Sequence, residues 1–424
     1  MHNPYRVIVA GAGLGGLALA HGLRNQGLDV AVYERDAHPG ARPQGYRIQL
    51  DEPGLTGLEH CVSPPLFRLC LATAGSPPAR ISVRNRHLDA LADKAALRGS
   101  PAGDGQGPLA FNRPTLRQVM LAGLRDHVHY GARLTAYRHE ADGTVTAHFA
   151  DGRTASADLL VGADGVNSTV RRALLPEARI EDAGLRLIYG KVPLTGSARA
   201  DVPPWVFDSI FTVVTGGPGH PHVGLGPVEF NARPEQAGPA HVPPVALSPV
   251  DDYVACMVGA PSDHPAVPPF EVLRALTPAQ LRDVTREVLV GEWHEDVHHL
   301  LDLWDTHSLF ALRISTAVPV PAWESRPVTL IGDAIHAMSP VLAMGANTAL
   351  RDAGELTHAI AGAVGRGERL VDAVRAYENR MTDYAFSIVT DSRRTGQQRV
   401  GQRWIPPAES PLIGQGYMSL WSGV

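Results

Sequence analysis

Cysteine is nearly absent from this chain: Cys61, Cys70 and Cys256 are the only three in 424 residues, and none belongs to a CxxC pair. That odd, scattered set excludes a disulfide framework and makes a reducing cytoplasm the expected home. Charge of one sign is lacking too. Lys and Arg number 38 against 43 Asp and Glu, a net charge of −5. Without a broad basic face, neither nucleic acid nor an anionic membrane is expected as the main partner. Apolar runs are short, and none approaches the roughly 18 residues that a membrane span requires. The apolar stretch from Val7 to Ala20 has no basic leader and is broken by four glycines. It reads as the first strand and helix of a fold and not as a secretion signal. The strings Gly-x-Ser-x-Gly, His-Glu-x-x-His and Walker A are missing as well, so no catalytic triad, zinc-protease helix or P-loop is expected.

What the chain does have is glycine and proline, 43 and 35 of them, dispersed without a repeat. They are densest from Gly216 to Pro249, which reads as long loops. The length allows two domains around separate cores.

Six residues near the start carry a pattern with a mechanism: Gly11-Ala12-Gly13-Leu14-Gly15-Gly16. They follow a strand-like run, Tyr5 to Ala10, and open a segment of helical spacing, Leu14 to Gln26. A second apolar run, Asp29 to Tyr33, ends at Glu34. This is the βαβ setting of a dinucleotide fingerprint. Gly11 permits the tight turn, Gly13 lets the backbone approach a pyrophosphate, and Gly16 lets helix and strand close together. The helix N-terminus, beginning at Leu14, offers unpaired N–H groups to the phosphates. Glu34 would accept hydrogen bonds from a ribose diol and repel a 2′-phosphate, so FAD or NAD is expected there and NADP is not. Arg35 beside it is a further candidate contact.

Two later strings also end apolar runs: Gly162-Ala163-Asp164-Gly165 and Gly332-Asp333-Ala334. The segment Leu159 to Arg171 resembles the DG motif of the single-component flavoprotein aromatic hydroxylases, and Val328 to His336 resembles their second FAD motif. Pro340-Val341-Leu342-Ala343-Met344-Gly345-Ala346-Asn347, followed by Asp352, continues the pattern, and Phe111 to Arg117 is similar to the family's arginine-bearing helix start. The likeness runs from about residue 5 to 400, and its spacing is most similar to the branch of tetracycline-inactivating and polyketide-tailoring monooxygenases. It implies an α/β fold: a Rossmann-like FAD-binding domain (1–175 with 308–360), an inserted antiparallel β-sheet substrate domain (176–307), and a C-terminal helix and tail (361–424).

The resemblance also decides for FAD over NAD. It assigns Asp333 to the ribityl chain, Asp164 to FAD and the nicotinamide donor, and Arg113 to the pyrophosphate or ribityl region. Pro340, Gly345, Ala346 and Asn347 are placed at the flavin, where a helix N-terminus would stabilise charge on the reduced ring. Arg42 is implied over the isoalloxazine, meeting NADPH (NADH as the alternative donor). The family usually writes Gly-x-Gly-x-Asn where this chain has Ala343-Met-Gly-Ala-Asn, so the loop geometry is where it departs. The implied activity inserts one oxygen atom from O2, through a flavin C4a-hydroperoxide, into a hydrophobic aromatic or polyketide-like molecule. Its alternatives are a non-redox FAD-binding cyclase or binding protein, or a reductase or halogenase of the same fold. Against a halogenase, only Trp404-Ile405-Pro406 stands in for that group's Trp-x-Trp-x-Ile-Pro. No catalytic side chain is assigned, because the cofactor carries the difficult chemistry.

Short β-like stretches between Gly184 and Leu312, among them Leu185–Gly190, Trp205–Phe207, Phe211–Val214 and Tyr253–Val258, suggest the inserted sheet. Phe207, Phe211 and Met257 are candidate walls, and Arg47 and Gln49 are placed to face the pocket together. His294 and His298 would share a helix face with His299 nearby, but without a third ligand no metal is expected. The stretch from Leu370 to Ser392 reads as a long amphipathic helix buried along Val371, Val374, Tyr377, Met381 and Tyr384. A monomer or weak homodimer is the expected state.

Overall fold

A computed structural model of the chain describes residues 5–41, 45–95, 108–403 and 405. In chain order, strand β1 (Arg6–Ala10), helix α1 (Leu14–Asn25) and strand β2 (Asp29–Tyr33) form the opening βαβ unit. They are followed by β3 (Arg47–Leu50), α2 (Glu52–Cys61) and a hairpin of β4 (Arg80–Asn85) and β5 (Ala90–Ala95). Then come β6 (Leu109–Asn112), α3 (Arg113–Leu121), β7 (Val128–His129), β8 (Leu159–Gly162) and α4 (Thr169–Leu174). The central strands are β9 (Ile180–Pro193), β10 (Phe211–Thr215), β11 (His222–Val228) and β12 (Tyr253–Pro261). Helices α5 (Pro278–Val288) and α6 (Glu295–Asp302) lead to β13 (Phe310–Ala317) and β14 (Val328–Leu330), and α7 (Gly345–Arg366) and α8 (Leu370–Val400) complete the chain.

A five-stranded parallel sheet has the order β14-β8-β1-β2-β7. Val7, Ile8, Val9 and Ala10 are all buried, as are Leu159 to Val161. Strands with helices over both faces carry continuous apolar runs, which is why these segments stand out in the sequence. Parallel pairing brings the carboxyl ends of β14, β8 and β1 side by side. Those ends are Leu330, Gly162 and Ala10, so the three glycine-bearing strings meet at one edge of one sheet.

A second, seven-stranded sheet has the order β13-β9-β12-β11-β10-β4-β5, and Ala317 N at the end of β13 donates to the Ala337 carbonyl in the segment after β14. It is antiparallel except where β10 runs parallel to β4. One face packs beneath α5 and α6 around Val223, Leu225, Val254, Cys256 and Trp304. The other face carries Tyr189, Val228, Tyr253 and Ala255 with half-buried Met257, Phe310 and Leu312.

Two stretches fold otherwise than their composition suggests. Trp205-Val206-Phe207 forms a 3-10 turn (Pro204–Phe207) and not a strand, with Phe207 packed on the helix-covered face away from the cleft. Gly216–Pro249 is not all loop: it contains β11 and a helix over Pro234–His241. Helix α8 also runs past Ser392 to Val400, where Gly401 at φ 67° ends it. Among the described residues no helix is long and apolar enough to cross a membrane.

Candidate functional site

The glycine loop is built as tightly as its spacing demands. Gly11 adopts φ 114°, and a Cβ there or on Gly16 would collide with the Ala163 or Gly11 carbonyl oxygen. Gly13 differs, because a Cβ on it would meet nothing within 4 Å. It is the N-cap of α1 and makes no side-chain cap bond, and the first turn holds no acidic residue. The first N–H groups of that helix therefore face open space. Glu34 is buried beside them. One of its oxygens accepts from Ala12 N at 2.8 Å and the other from Asp36 N at 2.9 Å. Each oxygen keeps a lone-pair direction for a further donor. Arg35, the next residue, is exposed.

Arg117 is the residue that the sequence did not single out here. It is buried, donates from Nε to the Ala12 carbonyl at 3.0 Å and from Nη1 to the Pro39 carbonyl, and leaves Nη2 buried without a partner. Arg113, one turn earlier, is half-buried, receives its backbone placement from the Tyr46 carbonyl, and acts on the Tyr189 phenol. Arg117, four residues on, is bonded to the glycine loop at the Ala12 carbonyl. Arg42 lies outside the described residues.

After β8, Asp164 accepts with Oδ2 from Thr169 N, the first residue of α4, at 2.7 Å, while Oδ1 is buried without a partner. Arg171 ties this segment to the third string, donating from Nη1 to the Val166 carbonyl and to the Ala334 carbonyl at 2.9 Å. Asp333 is exposed at the start of the turn Asp333–His336, directly after Gly332, whose φ is 62°. Gly332 N donates to Asp352 Oδ2 at 2.7 Å. The same oxygen meets His336 Nε2 at 2.6 Å, and Tyr384 donates to Oδ1 at 2.6 Å. Burial works against a charge on His336, but the Asp352 carboxylate outweighs it and the pKa rises.

Pro340 is exposed on a 3-10 turn, Pro340–Leu342. Ala343 follows in the left-handed region at φ 56°, a conformation that favours glycine. Gly345 and Ala346 open α7, with no side-chain cap and no acid in the first turn. Asn347 is fully buried, and its side chain is used as a latch: Nδ2 donates to the Gln49 and Ala343 carbonyls, and Oδ1 accepts from Asp51 N. What it leaves for a ligand is its backbone N–H. Arg47 and Gln49, expected to face a pocket together, divide their work, since Gln49 is buried while Arg47 leans on β10 and β11.

The three histidines do not form a face. His294 is the N-cap of α6, its Nδ1 accepting from Asp296 N, and His299 contacts the Asp201 carbonyl. A cap residue stands outside the helical repeat, so the spacing of His294 and His298 does not align them. Among the described residues no group of three His, Cys, Asp or Glu could hold a metal.

The donor set fits FAD. Uncapped N-termini of α1 and α7, the orphaned Arg117 Nη2, the free oxygen of Asp164 and the open space at Gly13 suit a long molecule with a negative centre and hydroxyl-bearing arms. Comparison with known proteins agrees. Residues 277–392 match the model of an FAD binding domain and residues 9–69 that of an NAD(P)-binding Rossmann-like domain. The chain is 30% identical over 404 residues to the dual O-methyltransferase/FAD-dependent monooxygenase elcB of Phaeosphaeria nodorum, covering 89% of this chain and 42% of that protein. It thus spans less than half the length of that curated relative. It is 29% identical to the 3-amino-4-hydroxybenzoate 2-monooxygenase of Streptomyces cremeus, covering 93% and 87% of the two chains. In three dimensions it is similar to Klebsiella pneumoniae HpxO complexed with FAD and uric acid, with a TM-score of 0.71, 25% identity, and coverage of 93% and 88%. Along most of its length the chain is thus similar to FAD-dependent monooxygenases, the class whose flavoprotein aromatic hydroxylases its three strings resemble.

Proposed function

We propose that this chain is an FAD-dependent monooxygenase that consumes a nicotinamide donor, NADPH or NADH, and inserts one oxygen atom from O2 into a hydrophobic aromatic or polyketide-like molecule. The observation that carries the reading is the convergence of three remote segments at the adjacent ends of β1, β8 and β14. When bound, FAD supplies the redox chemistry between donor, O2 and substrate. The protein supplies placement. Gly13 and the α1 N-terminus take the pyrophosphate with Arg117 behind them, Glu34 takes the adenosine ribose, and Asp333 takes the ribityl hydroxyls. Gly345, Ala346 and the Asn347 backbone N–H stabilise negative charge at the flavin ring. The seven-stranded sheet covers the site and excludes water, with Phe211 and Met257 on the cleft side. Three buried free thiols accord with a reducing cytoplasm, and we place the chain there as a monomer or weak homodimer.

Purified protein is expected to be yellow, to bleach when NADPH is added without air, and to oxidise NADPH faster when an electron-rich aromatic is present. Mass spectrometry should find one oxygen atom gained by the product. A flavin that no nicotinamide donor reduces would overturn the redox reading. Asp333→Ala should release FAD on gel filtration, whereas undiminished flavin occupancy would contradict its role.

A further inference from the structure

Arg47 lies at the seam between β3 and the cleft face of the seven-stranded sheet. Its Nη2 donates to the Ile210 carbonyl at 2.6 Å and its Nε to the Pro227 carbonyl at 3.5 Å, while its guanidinium carbon stands 5.7 Å from the centre of the Phe211 ring. The backbone beneath is cleared for it: a Cβ on Gly226 would fall 2.6 Å from Nε and 2.8 Å from Cδ. The cation is thus pinned against β11 at a defined place. Burial opposes its charge, the groups that favour it are the phenols of Tyr189 and Tyr253, and no Asp or Glu is among them. Among the described residues Nη1 has no hydrogen-bond partner.

A half-buried guanidinium with two carbonyl partners and no carboxylate is incompletely satisfied by the protein, since it presents five donors and a full charge. A purely structural staple between β3 and β11 would need neither the fork nor the charge. The strand also leads to the flavin end of the site. Two residues on, the Gln49 carbonyl accepts from Asn347 Nδ2, and Asp51 N donates to Asn347 Oδ1, at the first turn of α7. Beside Arg47 the second glycine of β11 makes room for its neighbours: a Cβ on Gly224 would meet Met257 Cγ and Phe211 Cζ, both at 2.9 Å. A cation and the aromatic ring packed against it therefore adjoin the flavin end of the cleft.

We propose that Arg47 is a specificity-determining residue of the substrate site and selects planar aromatic molecules that carry an ionised oxygen, an enolate or a carboxylate, on the edge turned towards it. The proposal rests on the reading of the cleft given above. The ionised oxygen completes the guanidinium's hydrogen bonding at Nη1, the nitrogen that the described residues leave unpartnered. Charge-assisted bonds of this kind favour the ionised molecule over a neutral isostere by at least about tenfold.

The test is calorimetric titration of the purified holoprotein with 2-hydroxy-1,4-naphthoquinone, its 2-methoxy ether and 2-naphthoate, with no nicotinamide donor present. The expected result is that one or both anionic probes bind at least ~10-fold tighter than the ether, the naphthoquinone and naphthoate arms telling enolate from carboxylate. In Arg47→Met that preference should vanish with ether binding unchanged, and in Arg47→Lys part of it should return. Equal binding of all three probes by the native protein overturns the proposal without recourse to any variant, as does a preference that Arg47→Met keeps. Since heat reports binding whatever the flavin does, colourless protein that still discriminates would defeat the redox reading and spare this one. Yellow, reducible protein that does not discriminate would do the reverse.

Discussion

Gly13 and Gly16 stand three residues apart and owe their identity to different neighbours. A side chain on Gly16 has no room within the protein, whereas one on Gly13 has nothing of the protein to meet. Gly13→Ala is therefore expected to leave the melting temperature of flavin-free protein unchanged and to lower FAD retention, read as the ratio of visible to ultraviolet absorbance. Full retention would mean that the space before Gly13 is not where the pyrophosphate lies. Ala343 presents the opposite problem, a methyl-bearing residue at φ 56°. Relief of left-handed strain, ~1–2 kcal/mol, exceeds the extra unfolded-state entropy of glycine, ~0.4–1 kcal/mol. Ala343→Gly should stabilise the fold by about 0.5 kcal/mol in denaturant unfolding, and a loss of stability would show that the methyl packs usefully. The glycine string and Glu34 were legible because each answers a local demand. Arg117 was not, since its value comes from Ala12 and Pro39, far away in the sequence.

Elements were readable where one force dominated. Parallel strands covered on both sides are apolar throughout, and β1 and β8 declared themselves. Strand β11 did not, because His222-Val223-Gly224-Leu225-Gly226-Pro227-Val228 carries residues that strand propensity disfavours. The structure shows what the two glycines are for, namely space for Phe211, Met257 and Arg47. Trp205-Val206-Phe207 misled in the other direction, as apolar and aromatic residues suit a buried turn as well as a strand. At the junction of α7 with the Gly332 turn, Asp352 holds Gly332 N, His336 and Tyr384 together. Asp352→Asn keeps the shape but removes the charge that His336 faces, so a loss of about 3 kcal/mol or more is expected. Chemical unfolding monitored by circular dichroism checks it; a change within half a kcal/mol would show that the network is dispensable.

At the scale of the molecule, stability should weaken in mild acid for an identifiable reason. His222 is buried in the seven-stranded sheet, and burial pushes its pKa down from 6.5 to about 4. The unfolded chain takes up that proton first, so stability rises with pH between those values and is lost as pH falls from 6.5 towards 4. The contribution is roughly 3 kcal/mol across that window. Comparing native protein with His222→Leu by unfolding at pH 7.5 and pH 4.5 isolates it, because the variant should lose markedly less stability on acidification. Parallel losses would assign the acid sensitivity to other groups.

The meeting of Ala10, Gly162 and Leu330 at one sheet edge has a consequence for how the protein matures in the cell. A ribosome must extrude the chain beyond Asn347 before the cradle has its third side, so on the proposed reading the coenzyme enters late, as a closing clasp on an otherwise assembled body. Nascent chains arrested ahead of Asp333 should accordingly emerge without colour, however much flavin surrounds them.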